Sequence, residues 1–302
     1  MNIGVLVMAH GTPSSPEGIE PFYTRIRRGS PPTPELLADL TRRYLAIGGT
    51  SPLTERTAAQ VTGIANALER EAPGQFDVRS GSKFEPPLLE EAAESFVRDG
   101  FKKVVGLVLA PHSSTLSTGQ YMSRAKTALG EHIEFVAIDA WYKTPGFLEL
   151  IAQRVKDALA TIPPSRYDTT EVLFSAHSLP LKVLKNGDTY VDQLRESAEI
   201  AAPLAGAAHF DVVWQSAGRT ADPWLGPDVL VALREKREKG LTDVVSCPVG
   251  FVSDHLEVLF DIDIEAQSVA REIGLNLVRT ASLNDDPAFT SLLAHAVRSA
   301  AS

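Results

Sequence analysis

The 302-residue sequence has little cysteine, a shortage of positive charge and no long apolar run, and each shortage excludes a class of protein. Its single cysteine, Cys247, excludes an intrachain disulfide framework and a cysteine-held iron–sulfur cluster, and suits a reducing cytoplasm. With 29 Lys and Arg against 38 Asp and Glu, the net charge of −9 argues against a nucleic-acid partner. The same charge is compatible with a cationic substrate.

Features that would direct a chain to a membrane are also missing. The opening Met1-Asn2, followed by IGVLVMA, lacks the basic region and the length of a signal peptide. Apolar runs such as VVGLVLA at 104–110 have the length of strands, far short of the roughly 20 residues of a membrane-spanning helix. The sequence therefore predicts a cytoplasmic protein without a membrane span.

Short branched apolar runs alternate with longer segments of helical period. Such alternation predicts βαβ units and parallel sheets, in which ligands bind beyond the carboxyl ends of the strands. The predicted strands are Ile3–Met8, Phe76–Ser80, Val104–Ala110, Phe135–Ile138, Val172–Ser175, Val212–Trp214, Val244–Pro248 and Leu277–Val278. The predicted helices are Thr57–Arg70, Pro87–Asp99, Gly119–Leu129, Pro145–Ala160, Tyr190–Ala205, Pro227–Lys239, Leu256–Ile273 and Pro287–Ala300, and 29–34 is a Pro-rich loop.

An internal repeat suggests how these elements are grouped. VLVMAHGTP at 5–13 matches VLFSAHSLP at 172–180, and KKVVGLVLAPHSS at 102–114 parallels TDVVSCPVGFVSDH at 242–255. The alternative is a chance resemblance between buried strands. We interpret the repeat as two similar α/β halves, residues 1–143 and 144–302, facing each other across a cleft.

The segment DHLEVLFDIDIE at 254–265 holds five carboxylates and no Lys or Arg. On one α-helix, Glu257, Asp261 and Glu265 would form an acidic stripe, although like charges at this spacing cost about 0.2–0.5 kcal/mol per pair. Helix capping could explain Ser253, Asp254 and Glu257, but not the continuation of the stripe. Hard oxygen ligands spaced along one face suit a passing divalent cation.

Histidines follow the strands that lead to this segment. His177 comes directly after an apolar strand, where it could be satisfied by neighbouring backbone or could act as a base or metal ligand. His255 lies inside the acidic segment itself. Taking the stripe together with these two histidines, we interpret it as a metal path that ends at an imidazole–carboxylate pair.

A cationic group lies nearer the amino terminus. Arg27, Arg28 and Arg43 could capture carboxylate or phosphate groups, or could be ordinary surface residues. The following 48–52, GGTSP, lacks the lysine and spacing of a phosphate-binding P-loop. Aromatic and sulfur-containing side chains could wall a flat ligand or belong to the core: Met8, Tyr44, Tyr121, Met122 and Trp224.

Together these sequence segments resemble those of the ferrochelatases, enzymes that insert Fe²⁺ into a porphyrin during haem synthesis. The resemblance runs through GVLVMAHGTP, YTRIRRG, RRYLAIGGTSPL, LAPHSSTLSTGQY, LFSAHSLP, DPWLGPDV and PVGFVSDHLEVLFDID, in family order. It is strongest to the monomeric enzymes of Gram-positive bacteria, which use coproporphyrin III. It implies two Rossmann-like lobes, each a parallel sheet flanked by helices, around a central porphyrin cleft.

The resemblance also implies roles for individual residues. His177 and Glu257 match the pair that binds or delivers iron at the centre of the macrocycle, and Asp261 and Glu265 match the acidic ridge leading to it. With Arg43 these two acids resemble an outer divalent-ion site, which could hold Mg²⁺. Positions around the porphyrin match His10, Thr12, Arg27, Arg43, Tyr44, Ser51, Tyr121, Ser216 and Trp224.

One position departs from the pattern. Where the Gram-positive enzymes usually carry a tyrosine that approaches the iron from the other face, this sequence has His10. Our hypothesis is that His10 is an axial ligand of the product iron; the competing view is that it only hydrogen-bonds its own loop. The C-terminal cysteine cluster of some family members is absent from the ending VRSAAS.

The implied function is insertion of Fe²⁺ into coproporphyrin III, giving coprohaem, by a monomer with no tightly bound cofactor. The arginine cluster favours this porphyrin, with four propionates, over protoporphyrin IX, with two. Alternatives are a protoporphyrin ferrochelatase, a chelatase for cobalt or a sirohaem precursor, and a non-catalytic haem or porphyrin carrier. A carrier would need the cleft and His10, but not Glu257.

Overall fold

The computed structural model describes residues 2–302, apart from the side chain of Asn186. Within that range, eight strands form two four-stranded sheets, and every pairing is parallel. The first sheet has the order β2-β1-β3-β4 and the second β6-β5-β7-β8. The strands are β1 (Ile3–Ala9), β2 (Phe76–Ser82), β3 (Lys103–Val108), β4 (Glu134–Ile138), β5 (Thr170–His177), β6 (Phe210–Gln215), β7 (Asp243–Cys247) and β8 (Asn276–Arg279).

Helices flank both sheets. They are α1 (Ile19–Ile26), α2 (Pro34–Ala46), α3 (Leu53–Glu71), α4 (Leu89–Arg98), α5 (Thr118–Leu129), α6 (Phe147–Leu159), α7 (Tyr190–Ala205), α8 (Val229–Glu238), α9 (Leu256–Leu259), α10 (Gln267–Glu272) and α11 (Pro287–Ala301). Each half thus repeats the same strand order, which confirms the predicted architecture of two similar α/β halves with parallel sheets.

The prediction missed α1 and α2, which precede the first predicted helix. α1 has only eight residues, too few for a clear apolar period. α2 starts at Pro34, at the end of the segment assigned to a Pro-rich loop, because proline suits the first helical position. The hydroxyl of Thr33 accepts the N–H of Leu36 at 3.4 Å and caps this start.

The continuous α-helix predicted over Leu256–Ile273 is wrong. A π-helical turn, Asp261–Ala266, separates α9 from α10. Here the N–H of Glu265 donates to the carbonyl of Phe260, five residues back, at 2.9 Å. Such wide turns occur inside helices at functional sites, and their period differs from the 3.6 residues on which the predicted stripe rested.

The largest group of buried apolar side chains spans both sheets, with Val5 and Val7 from β1 and Val172 and Phe174 from β5. Strands buried on both faces read as unbroken apolar runs, as this sequence does. The C-terminal α11 packs against α3, and Lys103 Nζ donates to the Ala301 carbonyl at 2.8 Å. The boundary between residues 143 and 144 stays a prediction, and the last helix of the second segment rests on the first sheet.

The carboxyl ends of the inner strands carry the repeated motifs. His10 directly follows β1, His177 ends β5, and the segments after β3 and β7 contain His112 and His255. This is the edge at which parallel sheets bind ligands. In the described part of the chain, no helix combines the length and the apolarity that crossing a membrane would demand.

Candidate functional site

A cavity of about 500 Å³ lies between the two halves, within the usual range for small-molecule sites. Strand ends of both sheets and the helices α1, α2 and α5 contribute to its wall. Ten of the site residues predicted from the sequence line it: His10, Thr12, Arg43, Tyr44, Ser51, Tyr121, His177, Ser216, Glu257 and Asp261. The structure thus gathers in one cavity residues that are up to 251 positions apart in the chain (10 to 261).

Three of the predicted residues, all within the described range, lie outside this wall. Arg27 packs over the ring of Tyr23, 5.9 Å from its centroid, and donates to the Ser30 carbonyl. Trp224 lies behind Gly218, where an added Cβ would come within 2.5 Å of the indole. Glu265 lies beyond Asp261 on the π-helical turn and is half-buried. Their roles at the porphyrin and the metal stay predictions.

His177 and Glu257 face each other at the cavity wall, with Nε2 and Oε1 3.6 Å apart. The Nδ1–H of His177 donates to the Ser178 carbonyl. Because a carbonyl can only accept, the proton of the neutral ring is on Nδ1 and the lone pair of Nε2 points toward Glu257. Both side chains are about one-third exposed, at 37% and 33%, so a ligand in the cavity can reach them.

His255 completes a three-residue arrangement. Its Nδ1–H donates to the Ser253 carbonyl at 2.9 Å, and its Nε2 lies 3.7 Å from the second oxygen of Glu257. The imidazole packs on Phe251, with ring centroids 4.8 Å apart. The sequence indicated His255 as one of two histidines near the end of the metal path, but the family resemblance gave it no role and we did not assign it to the catalytic or metal residues.

Electrostatics keep Glu257 ionised. Withdrawal from bulk water acts to raise the pKa of Glu257, but His177 and His255, once protonated, outweigh it and lower that pKa to about 2. A carboxylate between imidazoles can therefore attract a cation and stabilise an imidazolium at neutral pH.

His10 shares the tautomer of the other two histidines. Its Nδ1–H donates to the Gly11 carbonyl at 3.0 Å, which leaves Nε2 unprotonated. The ring makes edge-to-face contacts with Phe84 at 4.9 Å and Phe22 at 5.9 Å. Withdrawal from bulk water lowers the pKa of His10, against the opposing effect of Glu257, so the ring stays neutral. His10 therefore does hydrogen-bond its own loop, as the competing view predicted, but this bond uses only Nδ1 and leaves Nε2 available to a ligand.

Asp261 is the other carboxylate of the acidic segment that lines the cavity. The hydroxyl of Ser216, a residue in the left-handed region with φ of 58°, donates to it, and Arg43 Nη1 lies 3.7 Å away. Burial, reinforced by the charge of Glu257, raises the pKa of Asp261 to about 7. Its charge therefore changes near neutral pH, while that of Glu257 does not.

The remaining carboxylates of the acidic segment face elsewhere. Asp263 forms a two-pronged pair with Arg279 at 2.7 and 3.0 Å, and Asp254 lies 3.2 Å from the same guanidinium. The capping explanation for Ser253 and Asp254 is wrong, because α9 begins after His255 without a side-chain cap. The Ser253 hydroxyl instead accepts from Gln60 at 2.8 Å.

Across residues 2–302, no three His, Cys, Asp or Glu side chains are grouped closely enough to hold a metal ion as they stand. Asp261 is already engaged by Ser216 and Arg43, and Glu265 lies outside the cavity wall. The outer Mg²⁺ site implied by the family resemblance stays a prediction, and we assign no chemical step to it.

Uncharged aromatic residues form much of the wall. The hydroxyls of Thr12 and Tyr44 are 3.0 Å apart, and both residues are buried. Burial raises the pKa of Tyr44 to about 12 and that of Tyr121 as well, so both phenols are neutral. Ser51 accepts the N–H of Leu53 at 3.3 Å. These groups suit the faces of a flat apolar ligand with polar edges.

Charged wall residues were also missed by the sequence prediction. Lys83, Asp39 and Arg219 all line the cavity. Lys83 donates to Gln120 at 2.8 Å, and burial, with Arg124 and Arg28 nearby, lowers its pKa to about 8. No local sequence motif marks these residues, because the role of each depends on residues that are far away in the chain.

The fold is similar to those of two solved structures. The solved structure of CbiX, the terminal enzyme for biosynthesis of sirohaem in denitrifying bacteria, matches with a TM-score of 0.57 at 15% identity over 100% of both chains. SirB from Bacillus subtilis with Fe³⁺ matches with a TM-score of 0.57 at 12% identity, over 100% of this chain and 96% of that one. At these identities the likeness concerns the fold alone.

Sequence comparison identifies the family. The ferrochelatase family model matches residues 2–301, and the chain belongs to the ferrochelatase family. Ferrochelatase of Herpetosiphon aurantiacus is 44% identical over 96% of this chain and 96% of that protein. Coproporphyrin III ferrochelatase of Bacillus pumilus is 43% identical over 98% of this chain and 96% of its own length. The resemblance read from the sequence is confirmed.

Proposed function

We propose that this ferrochelatase inserts Fe²⁺ into coproporphyrin III to give coprohaem. The observation that carries the proposal is the ionised Glu257, held between the Nε2 atoms of His177 and His255 at the wall of the interlobe cavity. This arrangement offers both a cation-binding group and a proton acceptor at one place.

The first barrier to metallation is the hydration of Fe²⁺. Stripping water from a divalent ion is costly unless protein oxygens replace it in steps. Asp261 and then Glu257 provide such oxygens in order, both on the cavity wall and one helical turn apart in sequence. The iron is substrate here, so a site without three fixed ligands lets it move on to the macrocycle.

The second barrier is the loss of two pyrrole N–H protons. The bare Nε2 of His177 can accept a proton from a porphyrin in the cavity, and the neighbouring Glu257 stabilises the imidazolium that forms. His255, on the other oxygen of Glu257, is placed to share this charge. General base catalysis of this kind contributes about 10²–10⁴-fold.

Cations on the cavity wall support the choice of porphyrin. Lys83, Arg43 and Arg219 line the cavity, and guanidinium and ammonium groups bind carboxylates. Coproporphyrin III presents four propionates, whereas protoporphyrin IX replaces two of them with apolar vinyl groups. Relatives named as coproporphyrin III ferrochelatases at 43–44% identity point the same way.

A cytoplasmic monomer without a tightly bound cofactor completes the proposal. Its support is the family resemblance, together with the free, buried thiol of Cys247, which suits a reducing compartment. The outer Mg²⁺ site remains a prediction from the family resemblance.

A metallation assay followed by the Soret band tests the proposal. Fe²⁺ insertion should be faster into coproporphyrin III than into protoporphyrin IX in the same detergent, and the reverse preference would overturn the choice of substrate. Glu257→Gln should abolish insertion but keep porphyrin binding. Glu272→Gln, an exposed carboxylate on α10, is the matched control.

The assay also separates enzyme from carrier. A haem or porphyrin carrier, for which the free Nε2 of His10 would provide an axial ligand, has no turnover to lose. Wild-type protein that binds porphyrin but never metallates it, with any of Fe²⁺, Co²⁺ or Zn²⁺, would establish the carrier. Insertion that depends on Glu257 establishes the enzyme.

A further inference from the structure

A single carboxylate at the edge of the cavity, Asp39 on α2, is shared by three guanidinium groups. Arg42 Nη2 donates to Oδ1 at 3.0 Å, while Arg43 Nε and Arg219 Nη2 donate to Oδ2 at 3.0 and 2.8 Å. Arg219 belongs to the segment after β6, so its pair with Asp39 joins the two halves of the molecule. One negative charge among three positive charges leaves a local excess of positive charge.

The three arginines differ in what else they contact. Arg43 also approaches Asp261 at 3.7 Å and so lies between two carboxylates. Arg42 is exposed and is not part of the cavity wall. Arg219 lines the cavity with 54% of its side chain exposed, and Asp39 is its one carboxylate partner among residues 2–302.

The guanidinium of Arg219 therefore retains donors for a ligand. It has five N–H donors in a planar fork, and Asp39 accepts from Nη2 only. The N–H donors that Asp39 leaves unused lie in one plane, and such donors can form two parallel hydrogen bonds with a carboxylate. Arg27, expected from the sequence to bind a propionate, packs instead on Tyr23 and the Ser30 carbonyl, outside the wall.

We propose that Arg219, held at the cavity edge by Asp39, binds a carboxylate of the substrate and so contributes to selection of porphyrins rich in propionates. This inference rests on the proposed function, because it identifies the ligand carboxylate as a porphyrin propionate. Neither the sequence motifs nor the family resemblance assigned a role to Arg219 or Asp39.

Binding of iron-free porphyrin to the full-length protein tests the inference apart from catalysis. Titrations monitored by fluorescence would compare coproporphyrin III with its neutral tetramethyl ester in identical detergent. Arg219→Gln should weaken binding of the acid about three- to fivefold, the upper part of the range for an exposed ion pair, and should leave the ester unaffected. Arg219→Lys keeps the charge and should recover part of the loss.

Arg42→Gln is the matched control, since it removes a guanidinium from the same carboxylate without altering the cavity wall; its affinity should stay within about twofold of the wild type. Unchanged binding of the acid by Arg219→Gln, an equal loss for acid and ester, or a lysine variant no better than the glutamine variant would overturn the inference. Wild-type protein that discriminates acid from ester but does not metallate coproporphyrin would contradict only the proposed function.

Discussion

His10 at the end of β1 and His177 at the end of β5 occupy equivalent positions in the two halves of the molecule. Each donates Nδ1–H to the carbonyl of the next residue, Gly11 or Ser178, and so presents a bare Nε2. His10 is surrounded by Phe22 and Phe84, whereas His177 faces Glu257. The repeated strand and turn thus set position and tautomer, and the neighbouring segment decides the chemistry.

The histidines after β3 and β7 also occupy equivalent positions, and their surroundings differ even more. His255 borders the cavity and pairs with Glu257, while His112 is only 2% exposed. Ser197 Oγ donates to the Gln193 carbonyl and therefore accepts from His112 Nε2 at 2.8 Å, which leaves the buried Nδ1 of His112 without a partner. The segment after β7 provides an acid beside an accessible histidine, and the segment after β3 provides neither.

The largest predicted effect separates His177 from His10. His177→Gln should lower the rate of Fe²⁺ insertion by about 10²–10⁴-fold, because it removes the proton acceptor beside Glu257. His10→Gln should cost less than about tenfold, because His10 has no carboxylate partner. Soret-monitored turnover measures both, with porphyrin titrations as the control for binding. Equal losses would mean that the two halves are not chemically distinct.

The second effect is a pH dependence of the KM for Fe²⁺, which arises from Asp261 in the half that carries the acidic segment. With its pKa raised to about 7, the carboxyl is protonated and uncharged below that pH and ionised above it. The KM for Fe²⁺ should therefore rise about tenfold as the pH falls from about 8 to about 6. Asp261→Asn should hold KM at the high value throughout. A variant that keeps the wild-type pH profile would exclude Asp261 as its origin.

His112 gives the third effect, on stability rather than rate. Burial lowers the pKa of His112 to about 3, so below the unfolded value of 6.5 the unfolded chain binds a proton that the folded protein rejects. The free energy of unfolding should fall by about 2 kcal/mol from this group between about pH 7.5 and pH 5.

Urea denaturation at both pH values would measure this contribution. His112→Gln should show a smaller loss of stability on acidification than the wild type, and the exposed His209→Gln should behave like the wild type. If all three proteins lost the same free energy, burial of His112 would not govern the acid sensitivity.

The smallest effect concerns the spectrum of bound product. If His10 Nε2 is an axial ligand of the product iron, His10→Phe should shift the absorption of protein-bound coprohaem while insertion continues. The same spectrum in both proteins would leave His10 with its loop hydrogen bond alone. This measurement decides whether the two strand-end histidines both contact iron.

Much of the fold followed from local pattern. Strands buried on both faces give unbroken apolar runs, and the repeated Ala-His at the ends of β1 and β5 marked two strand ends that both face the cavity. The short α1 and the helix starting at Pro34 were missed, because one is too brief for a period and the other adjoins a Pro-rich segment.

Long-range contacts limited the prediction of the site. Whether an arginine faces a ligand depends on partners that sequence spacing does not reveal: Arg27 is held by Tyr23, while Arg219 is held by Asp39, 180 positions away. Trp224 was expected at the porphyrin, yet packs behind Gly218. Of the residues that the family resemblance implied, the two histidines at the repeated strand ends, His10 and His177, line the cavity, whereas Arg27 and Trp224 do not.

The wide turn at Asp261–Ala266 makes the spacing of the acidic residues sensitive to length. Its hydrogen bond spans five residues where an α-helical bond spans four, so the turn holds one extra residue within an otherwise helical segment. In a regular α-helix, losing one residue would rotate everything beyond the deletion by about 100°. Here a deletion within the turn should restore an ordinary α-helix and leave both Glu257, before the turn, and α10, after it, in their present orientations, so that only the carboxylates inside the turn change direction.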